Sequence, residues 1–204
     1  MMNVVFLKRF FTWAGIIILV LYLGLVIYRI PAVLEKQKTE ETVTRIHAAR
    51  LTLADVMGEN LPPVPDPALK DATIPGIDAN GNGIRDDVEL AIFEKYPDSA
   101  RVRAALLQYA KASQMYLTEV FNQETLIAVA QEDERSSSCL ADQLSRENLQ
   151  SYFRDLQQKK KEVEDLVLDT EERRIEANEN ADMVTSFGSF EGANCDVEPQ
   201  VLPN

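Results

Sequence analysis

The sequence predicts an all-α protein with one N-terminal transmembrane helix, a proline-rich linker and an extracytoplasmic helical domain with one calcium-type loop. Three observations predict this class: an uncharged apolar run near the N-terminus, apolar residues at helical spacing in the rest of the chain, and no long alternation of apolar and polar residues. The 204 residues include 21 Lys and Arg against 33 Asp and Glu, a formal net charge of −12. Because nucleic-acid binding needs a basic surface, this balance argues against it.

The N-terminal run extends from Phe10 to Tyr28, and its 19 residues carry no charge. As a helix it spans about 28 Å, close to the hydrocarbon thickness of a bilayer. Lys8 and Arg9 precede it, whereas acidic residues soon balance the basic ones that follow. The positive-inside rule therefore predicts a cytoplasmic segment 1–9 and a signal-anchor 10–28. The other 176 residues are then periplasmic or otherwise extracytoplasmic, in a protein of the bacterial inner (plasma) membrane.

Two other interpretations of this run remain open. A cleaved signal peptide has a shorter apolar core and a small-residue cleavage pattern, which is absent after Tyr28. A buried helix of a soluble protein is the third interpretation.

The translocated part is predicted to contain a membrane-proximal segment, a linker, a helical domain and a tail. Segment 29–60 is mostly helical over 32–57, with Pro31 in the first turn of a new helix. Segment 61–77 is an extended linker, because it holds four prolines within seven residues. The helical domain covers 78–187, and the tail 188–204 is irregular. The first three predicted helices of the domain cover 86–96, about 98–121 with Asp98 as the cap, and 123–134. The residues Ser136–Ser138 are predicted to break the pattern, and a further helix starts there. A long helix over 149–170 and a last one to about 187, capped by Asp169 with Glu172, complete the domain.

Residues 78–89 match the pattern D-x-[DN]-x-[DN]-G-x5-E. Calcium prefers six to eight hard oxygen ligands, and this spacing can present them around one point. Gly83 allows the positive-φ turn that wraps the chain around an ion. The predicted ligands are Asp78, Asn80, Asn82, the Ile84 carbonyl, Asp86 and Glu89.

These twelve residues resemble an EF-hand loop, and more closely the loops of thrombospondin type 3 and bacterial calcium repeats. The resemblance implies a Ca²⁺ site and not a fold. The segment before the loop is not helical in pattern, Arg85 occupies the eighth position, where EF-hands place an aliphatic residue, and no second loop occurs. We therefore expect a weak structural site, with a dissociation constant of roughly 10⁻⁴–10⁻³ M. The alternative is an Asn-Gly turn before a capped helix, without a metal.

Cys139 and Cys195 are the two cysteines of the chain, 56 positions apart. In an oxidising compartment they predict a disulfide that fastens the tail to the helical body. Two unpaired thiols are the alternative.

The sequence favours a membrane-anchored calcium-binding interaction or scaffold protein with a protein partner in the cell envelope. We predict no enzyme, no catalytic residue and no cofactor besides Ca²⁺, because no nucleophile–base set accompanies the loop. A carboxylate-based envelope hydrolase and a calcium-responsive subunit of a membrane complex are the alternatives.

Overall fold

A computed structural model describes residues 4–183, 186–189 and 192–203. These residues form seven α-helices, a short 3-10 turn at Pro199–Val201 and no β-strand, so the predicted all-α class is confirmed. The helices are α1 Val4–Ala48, α2 Leu53–Met57, α3 Asp86–Lys95, α4 Ala100–Thr118, α5 Gln123–Asp142, α6 Leu149–Val167 and α7 Glu171–Asp182. The chain divides into two compact units, Met1–Glu41 and Thr42–Asn204.

The first unit contains α1 as far as Glu41, and this helix is long and apolar enough to cross a membrane. Its large apolar side chains from Phe10 to Leu34 are exposed, as lipid-facing side chains are. The prediction that a new helix begins at Pro31 is wrong, because α1 continues through this residue. Proline removes one main-chain hydrogen bond from a helix, and the turns on both sides hold the rest together.

The predicted helix 32–57 is divided in the structure. The main chain leaves the helix after Ala48, and α2 begins at Leu53 with Thr52 as its N-cap. The Thr52 hydroxyl accepts a hydrogen bond from the Asp55 amide, and the Asp55 carboxylate accepts one from the Thr52 amide at 2.8 Å. Such a capping box favours a new helix start over continuation of the old helix.

Helix α4 lies at the centre of the second unit and packs against α2, α3, α5, α6 and α7. Ala105, Leu106 and Leu107 are completely buried, although they lie on different sides of the helix. A helix that is buried nearly all round needs small residues where neighbours approach, and α4 contains five alanines. Its N-cap is Ser99 and not the predicted Asp98.

Three further predicted boundaries are wrong. Helix α5 continues through the predicted serine break to Asp142, because Ser136 is buried and its hydroxyl donates to the Asp133 carbonyl. The cap of α7 is Thr170, whose hydroxyl accepts from the Arg173 amide, and not the predicted Asp169. Helix α7 ends at Asp182, short of the predicted end near 187; residues 184 and 185 lie outside the described residues.

The described part of the tail is held by one covalent bond and several ionic contacts. Cys139 and Cys195 form a disulfide, as predicted. Asp196 accepts from the Arg135 guanidinium at 2.6 Å and from the Leu51 amide at 3.0 Å. Glu132, which is 2% exposed, joins the same network through Arg135. The tail is therefore part of the folded unit.

Replacing Cys195 with Ser is expected to lower the free energy of unfolding by about 4 kcal/mol. The unfolded chain then regains the entropy that closing a loop of this length removes. Denaturant unfolding of the full-length protein in detergent, followed by circular dichroism, measures the change. Reductant should lower the free energy of unfolding of the wild type to that of the variant and leave the variant unchanged. Equal stability of wild type and variant without reductant would contradict the prediction.

Candidate metal centre

A buried arginine holds the segment that leads into the calcium-type loop, residues 78–89. Arg173 of α7 is 1% exposed and donates to three main-chain carbonyls of this segment. Its guanidinium reaches the carbonyls of Lys70, Thr73 and Ile74 at 2.8, 3.2 and 2.9 Å. It also binds the Asp71 carboxylate at 2.8 Å. The segment before the loop is therefore fixed although it has no helix of its own.

A second buried arginine fixes the loop itself. Arg85 is 1% exposed, and its guanidinium binds Asp87 and donates to the carbonyls of Leu166 and Val167 at 2.7 and 3.1 Å. These carbonyls end α6, where the helix dipole favours a positive charge. Gly76 has a φ of +70°, and a Cβ there would collide with the Arg85 side chain.

The two arginines share one carboxylate. Asp169 Oδ2 lies 3.1 Å from Arg85 Nη2, and Asp169 Oδ1 lies 2.6 Å from Arg173 Nη1. Burial raises the pKa of Asp169, but the hydrogen bond from Arg173 and the two guanidinium charges outweigh it, so the pKa is lowered. Asp169 thus links the loop, the preceding segment and the start of α7.

Asp78 at the first loop position shapes the turn. Its Oδ1 accepts from the amides of Gly81 and Asn82 at 2.8 and 3.2 Å, and its Oδ2 accepts from the Gly83 amide at 2.8 Å. Gly83 has a φ of +88°, which an L-residue rarely adopts. The turn at Gly83 therefore has the positive φ that the sequence predicts.

Three of the predicted ligands meet at one atom. The amide nitrogens of Asn80 and Asn82 lie 3.0 and 2.9 Å from Glu89 Oε2. Asn80 also donates to the carbonyl of Asn60, a residue that the sequence did not indicate. The side chains of the third, fifth and twelfth loop positions thus converge.

Two carboxylate oxygens of this site are buried without a hydrogen-bond partner among the described residues, Asp86 Oδ2 and Glu89 Oε1. Asp86 Oδ1 accepts from the Ala79 amide at 2.9 Å. Burial raises the pKa of both carboxyls, and Asp78 raises both further by repulsion. A buried anionic oxygen without a donor is costly, and a bound cation would offset that cost. The residues therefore fit a hard cation.

The remaining predicted ligand is the Ile84 carbonyl. The Ile84 side chain is 1% exposed and packs in the core, and its amide donates to Asn82 Oδ1 at 2.8 Å. Among the described residues, His, Cys, Asp and Glu side chains alone form no group of three that could hold a metal. A site here thus depends on the two asparagines and the Ile84 carbonyl as well as on carboxylates.

A lysine that the sequence did not indicate lies beside the loop. Lys111 of α4 is 6% exposed, and its Cε lies 3.1 Å from the point where a Cβ on Gly83 would stand. Burial lowers the pKa of Lys111, and attraction to Asp196 and Asp55 offsets only part of this effect. No hydrogen bond or ion pair joins its ammonium to any described residue.

A cleft of 460 Å³ opens beside this lysine within the second unit. It lies between the loop, α4 and the residues around the start of α2. Its lining includes Thr52, Asp55, Asn80, Asn82, Lys111 and Met115. The cleft gives solvent a route to the side of the loop on which Lys111 lies.

Comparison of the chain with known protein families, with curated proteins and with solved structures finds no match. The resemblance to EF-hand and thrombospondin type 3 loops consequently stays a prediction from residues 78–89.

Replacing Asp169 with Asn is expected to cost about 3 kcal/mol of folding free energy at pH 7, because two buried guanidinium groups lose their shared anion. The folded-state pKa of Asp169 lies below its ordinary value of 3.8, so its contribution is present above that pH and lost as the pH falls below it. Denaturant unfolding at several pH values should therefore show the two proteins converging below about pH 4.

Asp165→Asn is the matched control on α6. Asp165 pairs with Lys161, and both side chains are more than half exposed, 64% and 72%. Exposed pairs contribute little, so this variant should match the wild type within about 0.5 kcal/mol. Equal losses in both variants would show that Asp169 has no special role.

Proposed function

We propose that this protein is a membrane-anchored, extracytoplasmic interaction or scaffold protein whose helical unit is held together by a structural calcium ion. Residues 78–89 bind the ion through Asp78, Asn80, Asn82, Ile84, Asp86 and Glu89. The partner is a protein of the cell envelope.

One observation supports the ion above all: the buried Asp86 Oδ2 and Glu89 Oε1 have no donor in the described structure. Both belong to a loop whose spacing is that of calcium ligands. The amides of Asn80 and Asn82 already surround Glu89 Oε2, and each amide would present oxygen to an ion by turning over, which also releases the Asn60 carbonyl from Asn80 and the Ile84 amide from Asn82. Calcium would thus replace amide hydrogens as the positive partner of Glu89.

A structural role is favoured over a sensing role because both sides of the loop are fixed. Sensor EF-hands respond to calcium by changing the angle between an entering and an exiting helix. Here the entering segment is non-helical and fastened to Arg173, and Arg85 fastens the loop to the end of α6. We infer that calcium stiffens an existing arrangement and moves no helix.

The interaction role is favoured over hydrolysis by the carboxyl groups themselves. A general acid needs a raised pKa and access to a cleft. The carboxyls with a raised pKa are those of Asp86 and Glu89, which are buried in the loop, and of Asp133 on α5, which is not among the residues that line the cleft. Asp55, which does line the cleft, has a lowered pKa. Burial raises the pKa of Asp55, and hydrogen bonds from Thr52 and Asn60 outweigh this effect.

The N-terminal charges support the proposed membrane topology. Lys8 and Arg9 lie immediately before the apolar run of α1, and the positive-inside rule retains such residues in the cytoplasm. We propose that α1 is an uncleaved anchor in the bacterial inner membrane and that the second unit faces the periplasm. Calcium in the range of weak extracellular sites is available in such a compartment.

Glu89→Gln should separate calcium binding from folding. Gln has nearly the same shape, and its carbonyl oxygen can still accept from Asn80 and Asn82, but it carries no charge. In chelator the variant should be at least as stable as the wild type, because a buried unpaired charge is removed. With about 10 mM calcium only the wild type should gain, by about 2 kcal/mol for a site of roughly 10⁻⁴–10⁻³ M.

Thermal unfolding of the full-length protein in detergent measures both quantities. Glu94→Gln is the matched control, because it makes the same change on the exposed side of α3. The control should gain stability from calcium as the wild type does. If calcium does not stabilise the wild type, the proposed calcium site is wrong. A large calcium-dependent change in small-angle scattering would instead favour a calcium-responsive subunit of a membrane complex.

A reporter fused to the C-terminus tests the topology. Alkaline phosphatase fused after residue 204 should be active and a green fluorescent protein should be dark, because both outcomes require export. The fusion should remain in the membrane fraction at full length. A bright fluorescent fusion with inactive phosphatase contradicts the proposed orientation, and a soluble shortened product identifies a cleaved signal peptide.

A further inference from the structure

We propose that Lys111 sets the affinity of the calcium-type loop, acting as a fixed positive charge that opposes a bound cation. The inference rests on the proposed function, since it concerns the same site. It assigns a role to a residue of α4, which lies outside the loop in the sequence.

The position of Lys111 is fixed by packing. Its Cε, Cγ and Cδ lie 3.1, 3.6 and 3.7 Å from the point where a Cβ on Gly83 would stand. The lysine stem therefore lies along the sixth loop position, which has room for it because glycine has no side chain. The ammonium is one bond beyond Cε. It stays near the loop because Lys111 is only 6% exposed.

The charge of Lys111 acts on carboxylates around the loop, one of which is the predicted ligand Asp78. Asp196, Asp55 and Asp78 attract its ammonium and Arg50 repels it, and Asp55 and Asp78 also raise the pKa of Glu89. No carboxylate forms a direct ion pair with Lys111 in the described structure. The lysine charge is thus shared over the site and is not cancelled by one partner.

Coulomb's law gives the size of the effect. If the ammonium lies about 8 Å from a bound divalent ion, its charge changes the affinity for that ion by about five- to thirtyfold for effective dielectric constants of about 80 to 40. Removing the charge should therefore tighten calcium binding by about tenfold. Because the interaction scales with ion charge, a tenfold gain for Ca²⁺ corresponds to about thirtyfold for Tb³⁺.

Lys111→Met tests this in the full-length protein in detergent, since Met keeps an apolar stem against Gly83 and carries no charge. Titrations of Ca²⁺ and Tb³⁺, followed by the thermal midpoint, give both affinities. Lys111→Gln repeats the test in case Met packs badly, and Lys111→Arg keeps the charge and should bind as the wild type does. Lys161→Met removes a charge from an exposed position on α6 and should change affinity less than about twofold.

The outcomes separate the two proposals. Tighter binding in the Met and Gln variants, with the larger gain for Tb³⁺, supports the role of Lys111. Equal gains for both ions, or a gain in the Arg variant, assign the effect to packing and overturn it. Unchanged affinity in a folded Met variant that binds calcium overturns the inference alone, whereas the absence of binding in the wild type overturns the calcium site itself.

Discussion

Two guanidinium groups in the interior of the helical unit hold its irregular parts in place, and the candidate site depends on them. Arg85 and Arg173 are both 1% exposed, and they share the carboxylate of Asp169. A buried charge is tolerated only when its donors are satisfied, and here main-chain carbonyls from two segments, the end of α6 and the stretch before the loop, meet that requirement. The two arginines therefore hold the loop and the segment before it in place, as an entering helix or a paired second loop does in an EF-hand.

The use of Arg85 explains how a single calcium-type loop can stand without a partner loop. In a paired arrangement an aliphatic residue at the eighth position contacts the neighbouring loop. Here the same position faces the carbonyl end of α6, a polar surface that complements a cation. The segment before the loop is stabilised in a similar way. Arg173 supplies its carbonyls with the hydrogen-bond donors that an entering helix would supply from its own main chain.

The sequence was sufficient for the helical class, the long apolar helix and the cysteine pair, because each depends on periodicity, length or count. It was insufficient where tertiary contacts compete with local preference. The chain around Ser136 is helical because the Ser136 hydroxyl donates to a carbonyl of the preceding turn. Thr170 and not Asp169 caps α7, because the Asp169 carboxylate binds two arginines. Lys111 was missed because nothing local distinguishes a lysine that bends towards a glycine of a distant loop.

The bond between Cys139 and Cys195 has a consequence for how the protein survives damage. It closes a ring of chain that contains the exposed turn after α5, all of α6 and all of α7. A protease that cuts within that ring leaves two pieces still joined by the disulfide, with Asp196 still bound to Arg135. A nicked molecule can therefore keep its shape until a reductant reaches it.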